Sequence, residues 1–449
     1  MLVRFVASNF LSLKEEVEFS MLTGDFESHK HHVYQAGEIK VLKAAAIYGA
    51  NGAGKSNLVK AIGFLQELVK EGAVTTSVNS KKFKLDPVCQ EKPIQLEIEF
   101  FADEKLYSYG IAIDDTAVLE EWLYELKATK EDMLIFERMT DEAKNPTITF
   151  AAEYQKTEKQ KLLKELMEEN LLKENQLLLG KNQELKIGEI LAARKWIVFM
   201  LDIIYPDSLL STEAFLHTLV DGKYPNIFVH DFLSTFDTGI TKVKSKKMLI
   251  DNLSEISESA KKEISKKLDS RPSVVHKVGN ELIEFIREGE KDVALKVVTF
   301  HKANKKPIVE FDLSEESNGT RRIFDYLLPI LSCVAGNQTI LIDEIDQSIH
   351  PSLLKDLLQK VMADENTKGQ LIFTTHESNL LNFDIFRQDE IWFAEKERET
   401  GATHFYSLSE FKPDYGSDIE KGYLNGRFGA IPFLGNLENL NWHPHAEKE

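Results

Sequence analysis

Gly49-Ala50-Asn51-Gly52-Ala53-Gly54-Lys55-Ser56 fills the pattern G-x-x-x-x-G-K-[ST] at every fixed position. Just before it, residues 41–48 (VLKAAAIY) form a short apolar run that stops at a glycine-rich turn, as a buried strand does. Just after it, Leu58, Ile62, Leu65 and Val69 recur at helical spacing. A strand, a glycine-rich turn and a helix in this order let backbone N–H groups curl round phosphates, and the helix N-terminus adds its dipole. In that setting Lys55 reaches β- and γ-phosphates and Ser56 ligates Mg²⁺. The nucleotide-binding set is Gly49, Ala50, Asn51, Gly52, Ala53, Gly54, Lys55, Ser56 and Asn57. A chance glycine-rich turn is the bland alternative, and the flanking strand and helix disfavour it.

A second motif needs the first for its meaning. Thr339-Ile340-Leu341-Ile342 is an apolar strand that ends in Asp343-Glu344. Alone, this is a strand stopping at a polar turn. Beside a phosphate-binding turn, Asp343 becomes a Mg²⁺ partner and Glu344 a general base for the attacking water. His376 likewise ends an apolar strand, Leu371 to Thr375, where it can hydrogen-bond a γ-phosphate. Ser317-Asn318-Gly319-Thr320 opens a helix, where its hydroxyl and N–H groups suit an anion, although Ser there also reads as a plain N-cap. Lys55 and Asp343 are 288 residues apart, so something large is inserted between the two strands.

The periodicity along the chain changes several times. Residues 1–20 read as two short strands. From about 83 to 150 the period is two: Ile94, Leu96, Ile98 and Phe100 point one way, and Tyr107, Tyr109, Ile111 and Ile113 repeat the pattern. Residues 153–200 read as charged helix with the stripe Leu162, Leu163, Leu166 and Met167, and 251–290 read as helical with a break at Arg271-Pro272. Val297 to Phe300 and Ile308 to Phe311 bring strands back, and from 320 onward helices and strands alternate, which means a mostly parallel sheet with crossover helices. The expected division is 1–150, a helical insertion over 151–292, and 293–449.

Composition narrows the class. The chain of 449 residues is 43% hydrophobic and 29% charged, enough apolar content for a sizeable core. Its formal charge of −18 excludes a general nucleic-acid binder, which needs a basic face. Two cysteines, Cys89 and Cys333, make no disulfide framework and no cysteine zinc site, and fit a reducing cytoplasm. No run of eighteen apolar residues exists, so no spanning helix is expected, and the N-terminal stretch has no signal-peptide core.

Together these residues resemble ABC-type ATPases of the branch shared by SMC proteins, RecF proteins and the break-repair ATPases. Asn9-Phe10-Leu11-Ser12 ahead of the phosphate turn resembles that branch, as does 343–351 (DEIDQSIHP) with its Walker B and D-loop character, and Thr375-His376 resembles its switch histidine. Ser317 to Thr320 looks like a degenerate ABC signature. More closely, the chain is similar to stand-alone bacterial phage-defence ATPases of the AbiL/RloA-like type, which tend to end in a segment like Tyr423 to Pro432. The resemblance implies an α/β P-loop fold of ABC type, with a mostly parallel sheet, an antiparallel β lobe and a helical insertion. It implies ATP and Mg²⁺ as ligands, and a homodimer or higher homo-oligomer in which Ser317 and Gly319 of a second copy cap the γ-phosphate. It also implies hydrolysis by Glu344 with His376 and Asp346 nearby.

One element departs from the pattern: neither Gln90 nor Gln95 makes a convincing Q-loop glutamine. His29, His31 and His32 cluster as a metal site would, but with no cysteine or fourth ligand near them they read as a solvated loop, and His443 and His445 read as a tail. Lysine clusters at 242–247, at 261–267 and at Lys302, Lys305 and Lys306 could line a DNA path, but interleaved acids make them read as solvated faces. The expected role is control of a separate effector, a nuclease, in antiviral defence. The alternative is a DNA-repair or DNA-binding ATPase. A nuclease in its own right, as in the OLD family, is not expected, because no clustered carboxylates for two-metal cleavage follow His376.

Overall fold

The computed structural model describes residues 1–127, 131–208, 232–233, 235–236, 238–279, 281–302, 308–414 and 416–431. Lys305, Lys306, Pro432, His443 and His445 lie outside the described residues. The chain divides into two compact units: residues 1–203, 341–343 and the described part of 370–449 in one, and the described parts of 204–340 and 344–369 in the other.

Two large sheets build the first unit. One has seven strands in the order Pro146–Phe150, Met133–Thr140, Ala117–Leu126, Lys105–Asp114, Ile94–Ala102, Leu2–Ser8, Val17–Ser20. Its neighbours are antiparallel throughout. The period-two reading holds from Ile94 on, where Ile94, Leu96, Ile98 and Phe100 are buried and Gln95 is exposed; ahead of it Pro87–Gln90 is a short helix instead of strand. The second sheet runs from residues 201–203 through 341–342, Gln370–Thr374, Ala44–Tyr48 and Ile391–Lys396 to Thr403–Ser407. Ala44–Tyr48 is parallel to both of its neighbours, and all five of its residues are buried. A strand covered on both faces has no use for alternation, which is why it reads as a continuous apolar run. The apolar stretch 41–48 is nonetheless two elements. Ile39–Leu42 pairs with Val33–Ala36, and the chain breaks at Lys43 before entering the parallel sheet.

Gln370 joins these layers. It is fully buried, accepts from Leu2 N–H at 2.8 Å, and donates to the carbonyls of Leu2 and Leu42 at 2.9 and 2.8 Å. The helix Lys55–Glu71 buries Leu58, Ile62, Leu65 and Val69 on the face the sequence indicates. Residues 153–200 form short pieces rather than one helix. Glu158–Leu166, capped by a reciprocal Thr157–Gln160 box, leaves Leu162 and Leu166 exposed, and of its stripe only Met167 is buried. Among the described residues no helix is long and apolar enough to cross a membrane.

The second unit holds an antiparallel sheet in the order Ile240–Leu249, Lys291–His301, Glu281–Glu288, Ser273–Val278, with Val309–Asp312 paired to Lys291–His301. The helical reading of 251–290 is corrected here. Among the described residues there, Glu258–Leu268 is the α-helix, and the break at Arg271-Pro272 precedes two strands. The reason is packing. Val274, Val278, Ile283 and Phe285 form one core with Ile264 and Leu268 of that helix, so a sheet face and a helix face cover each other. Helices Asn318–Val334 and Pro351–Met362 belong to the same unit.

Candidate functional site

The turn from Gly49 to Gly54 leaves the parallel strand and enters the helix Lys55–Glu71. Two of its glycines have no substitute. Gly54 sits at φ 106°, where a Cβ would fall on the Thr403 hydroxyl, and a Cβ on Gly49 would fall on the Ala394 carbonyl. Lys55 is only 4% exposed. Its Nζ donates to the carbonyls of Gly49 at 2.7 Å and Ala50 at 3.3 Å, and lies 3.2 Å from each ring nitrogen of His376. The ammonium is therefore wrapped inside the turn with His376 against it. Hydrogen bonds to loop carbonyls are ones that phosphate oxygens can take over, since both are acceptors.

Beside this turn three oxygen groups converge. Ser56 Oγ donates to Asp343 Oδ1 at 3.1 Å, and Thr374 Oγ1 donates to the same oxygen at 2.6 Å. Asp343 and Thr374 are buried. A hydroxyl and a carboxylate held within hydrogen-bond distance at the head of a phosphate-binding helix are hard oxygen donors of the kind Mg²⁺ takes beside triphosphate oxygens, so the residues fit that ion. Thr374 is not evident from sequence as a site residue. It stands two positions before His376 in a strand that reads as simply apolar.

Behind the turn lies a polar buttress that the motif does not announce. Ser12 Oγ and Thr403 Oγ1 are 2.7 Å apart, Asn57 Nδ2 donates to Ser12 Oγ at 2.7 Å, and Thr403 Oγ1 donates to the Ala53 carbonyl at 2.9 Å. Asn57 thus spends its side-chain amide on the buttress. Asn9, at φ 55°, donates to the carbonyls of Cys89 and Lys92 at 2.7 and 2.9 Å and accepts from Phe83 N–H at 3.1 Å. The Asn9-to-Ser12 motif is therefore a structural clamp that fixes the antiparallel lobe and the back of the turn.

Gln90 and Gln95 are both engaged within the lobe. Gln90 Nε2 donates to the Phe83 carbonyl at 2.7 Å, and Gln95 Oε1 accepts from Ser8 at 3.4 Å. The segment after His376 is braced from the C-terminal side. Ser378 donates to Glu420 at 3.1 Å, and Tyr423 and Phe428 stack on Phe393 at centroid distances of 5.5 and 6.0 Å. The Tyr406 hydroxyl lies 3.0 Å from Glu395 and 2.8 Å from the Phe428 carbonyl, which share its one proton.

The second unit carries the other candidates. Ser317 is the N-cap of Asn318–Val334, accepting from Thr320 N–H at 3.1 Å. A Cβ on Gly319 would meet the Ser348 carbonyl at 2.7 Å, so the helix start packs closely on the turn that follows Asp346. Glu344 holds φ 53°, a left-handed conformation that costs a non-glycine residue on the order of 1–3 kcal/mol. The backbone just beyond is pinned by Tyr326, whose hydroxyl donates to the Ile345 carbonyl at 3.1 Å and accepts from Arg322 Nε at 2.9 Å.

Four of the described cluster lysines pair with acids. Lys246 meets Glu310 and Lys247 meets Glu288, each at 2.5 Å, while Lys261 meets Glu258 at 2.9 Å and Lys267 meets Glu263 at 2.6 Å. The histidine stretch departs from the expected solvated loop. His32 is buried, and its Nδ1 lies 3.0 Å from Glu390 Oε1.

Residues 44–179 and 224–382, well over half of the chain, match the family described as "AAA domain, putative AbiEii toxin, Type IV TA system". No curated protein matches. Among solved structures, the chain is similar to an SMC head bound to the C-winged helix domain of ScpA, at 12% identity over 92% of this chain and 99% of that one, with a TM-score of 0.44. It is similar to the SMC head domain from Thermotoga maritima at 11% identity, over 90% and 98%, with a TM-score of 0.39. A third is an SMC head with an extended coiled coil bound to the C-terminal domain of ScpA derived from Pyrococcus furiosus, at 12% identity, over 95% and 99%, with a TM-score of 0.37. The chain belongs to the AAA family of that description and is an ATP-hydrolysing P-loop enzyme.

Proposed function

We propose that this ATPase is a nucleotide-operated switch that works as a homodimer and controls a separate effector, a nuclease, in antiviral defence. The observation that carries the site assignment is the convergence of Lys55, Ser56, Asp343 and His376 at the mouth of one turn. Ser56 and Asp343 would hold Mg²⁺, which supplies charge neutralisation at the β- and γ-phosphates. Lys55 binds the same phosphates, and His376 reads the γ-phosphate through its place beside Lys55. Glu344 takes the proton from the attacking water as the bond from γ-phosphorus to the bridging oxygen breaks, leaving ADP and inorganic phosphate. Its strained backbone supports this role, since strain of that kind collects at catalytic positions. Asp346 lies in the adjoining turn. Ser317 and Gly319 of a second copy close over the γ-phosphate, so ATP holds the dimer together and hydrolysis releases it.

In domain terms, 1–150 and 293–449 form the ATPase and 151–292 is the insertion. The defence role draws on the description of the matched family. The DNA-repair alternative draws on the lysine clusters, and the pairing of Lys246, Lys247, Lys261 and Lys267 with glutamates weakens it. Trans-complementation tests the composite site. Lys55→Ala and Ser317→Arg chains are each inactive alone, and a mixture regains activity because every mixed dimer holds one intact site. A mixture no more active than its parts contradicts the reading.

A further inference from the structure

Three histidines that the ATPase mechanism does not use gather at one point of the first unit. His29, His31 and His32 each bring a ring nitrogen to within 4.8 Å of the others. His29 takes φ 43°, and the single turn Lys30–His32 then folds the three rings together. His31 packs edge-on to His32 at 4.4 Å between centroids, and His29 stacks on His32 at 4.8 Å.

The surroundings set which nitrogen His29 and His32 offer. His29 Nε2 lies 2.7 Å from the Phe383 carbonyl, which only accepts, so Nε2 carries the proton and Nδ1 the lone pair. His32 Nδ1 lies 3.0 and 3.1 Å from the two oxygens of Glu390, and ligation through Nε2 places a proton on Nδ1, facing that carboxyl group. A buried carboxylate behind one imidazole and a carbonyl behind another are the partners that orient metal-ligating histidines. The backbone is held as well: His32 N–H donates to the His29 carbonyl at 2.9 Å, and Lys43 N–H to the His32 carbonyl at 2.8 Å. The Arg387 guanidinium is committed to Asp389 at 2.9 Å and to the carbonyls of Phe26 and Ser28 at 3.1 and 2.8 Å, so its charge is matched.

We propose that His29, His31 and His32 bind one divalent transition-metal ion, with Zn²⁺ the best match, and that Glu390 orients His32 for it. Three imidazoles suit Zn²⁺, Co²⁺ or Ni²⁺ and not the hard ion of the nucleotide site. Tetrahedral zinc with bonds of about 2.0–2.1 Å places its ligand atoms roughly 3.4 Å apart, so modest rotation of the half-buried His29 and His31 rings completes the site. The fourth position falls to water or a further ligand.

The test uses the full chain, carrying no histidine tag, stripped with chelator and kept in excess Mg²⁺. Zn²⁺ is titrated against a chromophoric indicator, and Co²⁺ is followed by its visible bands. One equivalent per chain with tetrahedral Co²⁺ bands is expected, and His31→Gln lowers Zn²⁺ affinity at least about tenfold. His29→Ala/His31→Ala removes the equivalent altogether. Zinc binding that is equal in wild type and in His31→Gln overturns the proposal, as does a wild-type chain that cannot compete with the indicator. His31→Gln decides the matter even if the double variant fails to fold. No nucleotide turnover enters the readout, so the outcome is independent of the ATPase assignment.

Discussion

Thr374 Oγ1 donates to Asp343 Oδ1 at 2.6 Å, on the oxygen that also accepts from Ser56. A buried hydroxyl thus orients the carboxylate that faces the phosphate-binding helix. Thr374→Val keeps the volume and removes the donor. It is expected to weaken Mg²⁺ affinity about 10–100-fold, the usual cost of losing a group that positions a metal ligand. Turnover measured against Mg²⁺ concentration checks this: the variant recovers at high Mg²⁺, whereas an unshifted curve shows that Thr374 has no such role.

Ser12, Asn57 and Thr403 make the second prediction. Ser12→Ala leaves two polar side chains behind the turn short of a partner, and each unsatisfied buried group costs about 1–3 kcal/mol. A lower melting temperature and weaker ATP binding are expected together, because the same hydrogen bonds hold the Ala53 carbonyl in place. Stability loss with unchanged ATP affinity would separate the buttress from the site.

Glu121 gives a pH signature. It is buried among Leu178 N–H at 2.6 Å, Leu179 N–H at 2.9 Å and Tyr109 hydroxyl at 3.0 Å. Desolvation raises its carboxyl above the ordinary 4.5 despite the nearby Arg138 and these donors. The folded state therefore holds the proton more tightly than the unfolded one. The resulting stabilisation is complete below the unfolded value and is lost as pH rises through the folded value. Glu121→Gln is expected to flatten the stability-against-pH curve above about 4.5. Denaturant melts across that range measure it, and an unchanged slope contradicts the assignment.

Legibility from sequence followed locality. The phosphate turn was plain because its chemistry is backbone chemistry within eight residues. The antiparallel lobe was plain because Ile94 to Phe100 alternate within one strand. The same reasoning fell short at 251–290, where a Lys/Glu-rich helix runs straight into Val274 and Val278. Their alternation is short, and only pairing with Glu281–Glu288 makes it a sheet. Thr403 gave no signal, because its partner Ser12 lies 391 positions away. The histidine stretch was misjudged for the same reason, since Glu390 stands 358 residues beyond His32.

The central claim is a nucleotide-held pair of chains. Glu344→Gln removes the general base, a group worth about 10²–10⁴ in rate, while leaving the phosphate contacts intact. The decisive measurement is its mass by light scattering with and without Mg-ATP. The account predicts a shift from 51.2 kDa to twice that value on adding nucleotide, reversed by Lys55→Ala in the same chain. A mass that nucleotide leaves at that of one chain contradicts it.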